Sequence, residues 1–251
     1  MNGLRDTWTL TVRMLKHNVR SADTIVTTLV MPIMILLAFV FVLGGAMSPA
    51  AGRYVDYVVP VVLLFAVASG VAYTAWRVNQ DKTSGIQNRL RTMPIARWSM
   101  TAGHVLSSVL VNAVSLVLMY AVALLVGYRP HTDATGWAAS VGLLVAALVA
   151  FTMMGVACGL LAKTNEGAGL FSYLVMGLLF VSSGFAPTAT MPAGLRAFAD
   201  HQPMTPLIDA LRAAQLGAVD PTATAVAGAW LAGAGVVFAL LAAAASRRAP
   251  A

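Results

Sequence analysis

Six apolar stretches, separated by short polar breaks, set the pattern of the chain. They run approximately over residues 24–47, 57–76, 101–127, 137–162, 167–187 and 222–245. A helix rises about 1.5 Å per residue, so about 20 apolar residues cross a hydrocarbon core of roughly 30 Å. Each stretch is long enough, and ionisable residues are almost absent within them, as the cost of charge in lipid requires. Breaks such as Ser48-Pro49, Tyr128-Arg129-Pro130 and Asp220-Pro221 lie between them. The pattern predicts an all-α, polytopic membrane protein with six transmembrane helices, forming one membrane domain over residues 1–251.

The polar segments carry patterns of their own. In Leu4–Arg20, Trp8, Val12, Leu15 and Val19 recur at helical spacing on one face, with Arg5, Arg13, Lys16 and Arg20 on the remainder. This predicts an amphipathic helix within residues 1–23, lying in the membrane interface. The loop over 77–100 places Ile86, Leu90 and Met93 at i, i+4 and i+7, a short helix that Pro94 would end. Such a basic helix with an apolar edge suits docking into a partner's groove; serving only as a positively charged loop is the other reading. Over 187–220 prolines recur at Pro187, Pro192, Pro203 and Pro206. Between them, 193–199 and 206–216 read as short helices, the second with Leu207, Leu211 and Ala214 on its apolar face and Asp209 and Arg212 spaced to pair. These pieces predict a cap folded back at the outer surface.

Composition narrows the class. Of 251 residues, 59% are hydrophobic and only 10% charged, against roughly 25% charged in a soluble domain, and the mean hydropathy is +0.80. The net charge of +7 does not describe a nucleic-acid binder, because the cations fall in short segments between apolar runs. With the N-terminus in the cytoplasm, the cytoplasmic segments hold Arg5, Arg13, Lys16, Arg20, Arg77, Lys82, Arg89, Arg91, Arg97, Lys163, Arg247 and Arg248. The outer segments hold only Arg53, Arg129, Arg196 and Arg212. This asymmetry predicts a cell-membrane protein with both termini cytoplasmic. Tyr57, Trp76, Trp98, Tyr128 and Trp137 suit interfacial belts or plain packing. The first apolar stretch reads as a retained signal-anchor. Cys158 is the only cysteine, so no internal disulfide is possible, and it reads as a small buried hydrophobe.

Within the spans, His104, Ser108, Asn112 and Ser115 share one face of the third. They would either hydrogen-bond to neighbouring helices or line a substrate path. Phe171, Tyr173, Met176 and Phe180 in the fifth could line a path for a bulky apolar cargo, or simply pack. Gly155–Gly159 is a GxxxG element and Ala229–Gly233 a weaker relative, both suggesting close helix contact. No G-x-x-x-x-G-K-[ST] occurs, so the chain has no P-loop for nucleotide phosphates. No His/Cys cluster has metal-ligand spacing, and no hydrolase motif is present. The 9 acidic residues are dispersed. Asp23 comes closest to a membrane carboxylate, and a helix N-cap accounts for it. A pump without an ion-coupling residue draws its energy from elsewhere.

Two stretches resemble the ABC type-2 permease family, and within it the daunorubicin/doxorubicin-resistance-type export permeases. One runs from Ser84-Gly85-Ile86 through Arg89 to Met93-Pro94-Ile95-Ala96-Arg97 and Gly103; the other comprises Ser183-Gly184-Phe185-Ala186-Pro187, Met191-Pro192, Pro203-Met204-Thr205-Pro206, Leu211-Arg212 and Gly217. The resemblance covers nearly the whole length. It implies a permease subunit with no catalysis of its own, paired with a second permease copy, as a homodimer or heterodimer. It further implies two separate ATPase chains that bind ATP and Mg. Gly85, Ile86, Arg89, Leu90, Arg91, Pro94 and Arg97 would then form the coupling helix, while Pro187, Pro192, Pro206 and Arg212 belong to the outer cap. The implied cargo is a small amphipathic drug-like or lipid-like molecule. Ala186 and Asp209 depart from the family's usual bulkier residue and glutamate. Rival readings are export of a lipid-linked glycan or surface polymer, a membrane scaffold, and an ion-driven transporter.

Overall fold

The computed structural model describes residues 3–45, 53–85 and 97–248, and among them the chain is all-helical. Helix α1 spans Gly3–Arg20. A helical run follows in four pieces: α2 over Ala22–Ile25, a π-helical turn over Val26–Val30, α3 over Met31–Leu37, and a second π-helical turn over Ala38–Leu43. Pro32 explains the first widening. It lacks an N–H and would crowd the carbonyl four residues back, so the chain takes the longer bond from Met31 N–H to Val26 O.

The remaining helices are α4 over Tyr54–Thr83, α5 over Arg97–Leu125, α6 over Ala134–Leu161, α7 over Asn165–Phe180, α8 over Ala193–His201, α9 over Met204–Gln215 and α10 over Pro221–Arg248. Among the described residues, four helices are long and apolar enough to cross a membrane: Tyr54–Thr83, Trp98–Leu125, Ala134–Leu161 and Pro221–Ser246. The apolar stretch over 167–187 is helical only as far as Phe180. There the chain turns, and Gly184 packs so closely on Val61 that a side chain would have no space. Ser182 receives the Gly184 N–H at 3.1 Å, which holds the turn.

Helix α4 is the central post. Its residues from Val58 to Ala68 are all buried, and it touches the first apolar run, α5, α6, α7 and α9. Helix α6 lies between α4 and α10. The α4–α6 seam is narrow because Gly155 faces the Val71 carbonyl and Thr74, and Gly159 faces the Ala75 carbonyl and Val78. Small residues let the two backbones approach, which is how helices associate where lipid offers no hydrophobic drive. The second small-residue pair behaves differently: a Cβ at Gly233 would meet nothing, so α10 makes no close contact there.

Helix α1 divides its surface sharply. Thr7, Leu10, Thr11, Met14 and Asn18 are buried, chiefly against α5. Gly103 of α5 meets Leu10 and Met14, while Ser99 donates to the Gly3 carbonyl at 3.1 Å. Leu4, Trp8 and Val19 stay outside at 81%, 60% and 66% exposure. Of the predicted stripe, Trp8 and Val19 thus face outward, while Val12 and Leu15 are partly buried.

At the opposite end, Gly127 ends α5 with φ +103°, a left-handed conformation that favours glycine. Tyr128 N–H then reaches the Ala123 carbonyl at 2.9 Å. Arg129 donates to the carbonyls of Leu124 and Tyr128 at 2.7 and 2.8 Å, and Arg53 donates to that of Gly127. Asp133 caps α6 by accepting the Gly136 N–H at 2.8 Å. That bond and the Thr135 hydroxyl hold its carboxyl below the usual carboxylate range.

Replacing Gly159 by Leu forces a side chain into the α4–α6 seam, where overpacking costs typically ~1–3 kcal/mol; Gly142→Leu, at an open position, leaves stability unchanged. Thermal unfolding of the purified protein reads the difference. Asp133→Ala removes the α6 cap and lowers the unfolding temperature at neutral pH. Because the native carboxyl titrates lower than the unfolded one, the wild-type advantage is full above the ordinary value of 3.8. It disappears as pH falls through the depressed native value, so the two melting curves converge in acid.

Candidate functional site

Two polar clusters, one at each end of α4, carry the chemistry. At the first end α4 runs to Thr83 and Ser84, and Gly85 follows with φ +76°, a turn that favours glycine. Ile86, Arg89, Leu90, Arg91 and Pro94 lie outside the described residues, and Arg97 opens α5. Beside Gly85, α4 is fastened to the end of α6. Asn79, fully buried, donates to the carbonyls of Gly159 and Ala162 at 3.0 and 2.8 Å. Lys82 donates to those of Leu160 and Ala162 at 2.8 and 3.0 Å. The last carbonyls of a helix have no partners of their own and carry partial negative charge, so an amide and an ammonium together satisfy the α6 terminus. In the sequence Lys82 stands only as one of the cytoplasmic charges, and Asn79 does not stand out. Their i, i+3 spacing one turn before a glycine break was the available signal.

The polar face of α5 points into the protein. His104 is buried with Nε2 3.4 Å from Asp81 Oδ2, close for an ion contact but not aligned as a hydrogen bond. Asp81 is itself only 9% exposed, so the buried carboxylate on this side comes from the loop-side end of α4. The side chain of Asp23 lies outside the described residues. Asn112 is buried against Gly70 so tightly that no side chain fits there, and Ser115 lies 3.5 Å from the Thr28 hydroxyl. The buried face includes Ser107, whose hydroxyl lies 3.8 Å from Met14 S, while Ser108 is only half-buried. Packing α1 against α5 shifts the face by one residue.

At the other end of α4, Arg212 of α9 organises the packing of the segment predicted to form the cap. Its guanidinium lies 3.9 Å from the centre of the Tyr57 ring, a cation–π placement. It donates to Asp209 Oδ1 at 2.9 Å, to the Ser183 carbonyl at 2.9 Å and to the Tyr57 carbonyl at 3.3 Å. Tyr57 donates its hydroxyl to the Ser183 carbonyl at 2.6 Å, and Ser183 donates to Asp209 at 2.7 Å. One cation thereby ties α9 to α4 and to the turn after α7. Tyr57, read from sequence as a belt or packing aromatic, is the platform under Arg212. A second tie joins the buried Tyr128 to Gln215: the hydroxyl donates to Oε1 at 2.7 Å. Burial raises the pKa of that hydroxyl well above its ordinary value, keeping the proton it donates. The cap's prolines sit at element starts. Pro187 precedes a 3-10 turn over Thr188–Thr190, Pro192 precedes α8, and Pro206 lies in the first turn of α9.

The aromatic residues of α7 do not converge on one cavity. Phe171, Tyr173 and Phe180 are exposed, and Met176 is partly buried against the core. Phe180 stacks on Phe185 at 5.0 Å, which in turn stacks on Phe39 at 4.4 Å. Among the described residues no group of three or more His, Cys, Asp or Glu could hold a metal ion.

The sequence matches the family model described as ABC-2 type transporter over residues 5–216. It is 29% identical over 182 residues to the daunorubicin resistance ABC transporter permease protein DrrB1 of Streptomyces coeruleorubidus, covering 72% of this chain and 64% of that relative. It is 26% identical over 216 residues to the probable doxorubicin resistance ABC transporter permease protein DrrC of two Mycobacterium tuberculosis strains, covering 82% of this chain and 75% of those relatives.

Arg212→Ala removes the cation that ties α9 to α4 and to the turn after α7, and destabilises the protein by about 1–3 kcal/mol. Arg212→Lys recovers only part of that, because an ammonium lacks the planar fork. Thermal unfolding of both variants beside wild type checks the order.

Proposed function

The chain belongs to the ABC-2 type transporter family, and on that premise we propose that it is the membrane permease of an ATP-driven exporter whose ATPase is a separate chain. The family match over residues 5–216 carries this reading, supported by the four long apolar helices and by a sequence that has no P-loop. The first apolar run and α7, the latter continued by the turn after Phe180, complete six spans. Both termini are cytoplasmic, since that arrangement puts twelve of the 16 cations inside. Helices α8 and α9 then form the outer cap, and α1 lies in the inner interface.

Residues 85–97 form the coupling segment that receives the ATPase's movement. ATP and Mg bind in the ATPase dimer, and nucleotide state shifts the permease between two arrangements by differential affinity. The bonds from Asn79 and Lys82 to the α6 terminus make α4 and α6 move as one body when Gly85 is pushed. Two permease copies rock about an interface in which the exposed aromatic face of α7 takes part. The cargo is a small amphipathic molecule entering from the inner leaflet, a reading supported by relatives named for daunorubicin and doxorubicin resistance.

Co-expression with a cognate ATPase tests the central step. Gly85→Val and Arg89→Glu leave the permease in the membrane but abolish co-purification of the ATPase, or abolish cargo stimulation of its hydrolysis. Co-purification and stimulation that survive both substitutions contradict the coupling role of 85–97. Stimulation by a lipid-linked glycan and not by an amphipathic drug moves the cargo to that class.

A further inference from the structure

A polar cavity of about 300 Å³ opens where α1 crosses the loop-side end of α4. Arg13 and His17 of α1 line it from one side; Arg77, Gln80, Asp81 and Ser84 line it from the other. That volume is at the lower end of small-molecule sites, roughly 300–1,000 Å³. Arg77 donates Nη1 to Gln80 at 3.1 Å, but its buried Nε has no hydrogen-bond partner. Leaving such a donor unmatched is costly. Arg13 is exposed and forms no ion pair among the described residues. Asp81 is the one acid in the lining, and its Oδ2 faces His104 at 3.4 Å. Two guanidinium groups against one carboxylate leave the cavity cationic.

We propose that this cavity binds a phosphate group at the membrane surface, held between Arg13 and Arg77. Guanidinium groups match phosphate oxygens in paired hydrogen bonds, and an oxygen on the anion supplies the acceptor that Arg77 Nε lacks. The position selects the source. Helix α1 presents Leu4, Trp8 and Val19 outward, so its apolar stripe rests in the acyl boundary and its polar edge sits at headgroup level. A phospholipid whose chains lie beside that stripe brings its phosphate to the cavity mouth. Occupancy ties α1 to α4 next to the coupling segment, so the surrounding lipid bears on the part of the permease that moves. The inference rests on α1 lying on the membrane and not on the ATPase partner, so the two readings fail separately.

Native mass spectrometry of the full-length permease in detergent tests it, with titration by phosphatidylglycerol, phosphatidylcholine and inorganic phosphate. Retention of phosphatidylglycerol over phosphatidylcholine, weakened about fivefold by either Arg13→Gln or Arg77→Gln and unmoved by Arg196→Gln, supports a lipid phosphate. Arginine-dependent binding of inorganic phosphate without retained lipid supports the phosphate site and assigns it a soluble occupant. Equal retention of both lipids that either arginine substitution weakens also supports the phosphate site, whereas retention of lipid unmoved in both variants, or no binding of lipid or phosphate, overturns the proposal. Arg13 is exposed on a helix surface, so its variant keeps the test decisive even if the Arg77 variant fails to fold.

Discussion

In a lipid core no water is available to satisfy backbone groups, so helices must pair through close packing and a few well-placed polar bonds. Here that requirement falls on α4. Its contact with α6 through Gly155 and Gly159 leaves no space for a side chain at the seam, and every other long element is arranged around the pair. Helix α10 backs α6, while α5, α7 and the first apolar run enclose α4. Loosening the seam would leave Asn79 and Lys82 without the α6 carbonyls they satisfy, because those bonds require the two helix ends to lie side by side.

The two ends of α4 are built differently. At the Gly85 end the bonds run from side chains to a helix terminus, joining two helices as one lever. At the Tyr57 end a single guanidinium gathers α4, α9 and the turn after α7, and the Tyr128–Gln215 bond adds a second tie. A stiff post braced at its cap and joined to a neighbour at its foot can transmit displacement along its length. Under the proposed coupling role, softer packing would absorb a push at Gly85 within the helix pair.

Much of this was legible in the residues. Apolar length marked the helices, and the prolines and helix formers of 187–220 marked α8 and α9. The spacing of Asp209 and Arg212 gave their ion pair, 2.9 Å apart. What the pattern could not reveal depends on contact between distant segments. Hydropathy registers that residues 167–187 are apolar but not that the chain turns at Ser182–Gly184 to pack on Val61. Pro32 hints at irregularity without specifying a π turn. Asp81 and Ser107 are ordinary polar residues in sequence, and only the packing of α5 against α4 and of α1 against α5 buries them. Tyr57 gains its role from Arg212, 155 residues away.

The proposed function requires that energy reach this membrane protein from a separate ATPase subunit. Proteoliposomes containing the permease, with and without its ATPase, and loaded with a fluorescent amphipathic drug such as doxorubicin, test it most directly. Drug movement that requires both the ATPase and ATP is the predicted result. Movement by the permease alone, or movement driven by an imposed ion gradient without nucleotide, would contradict it.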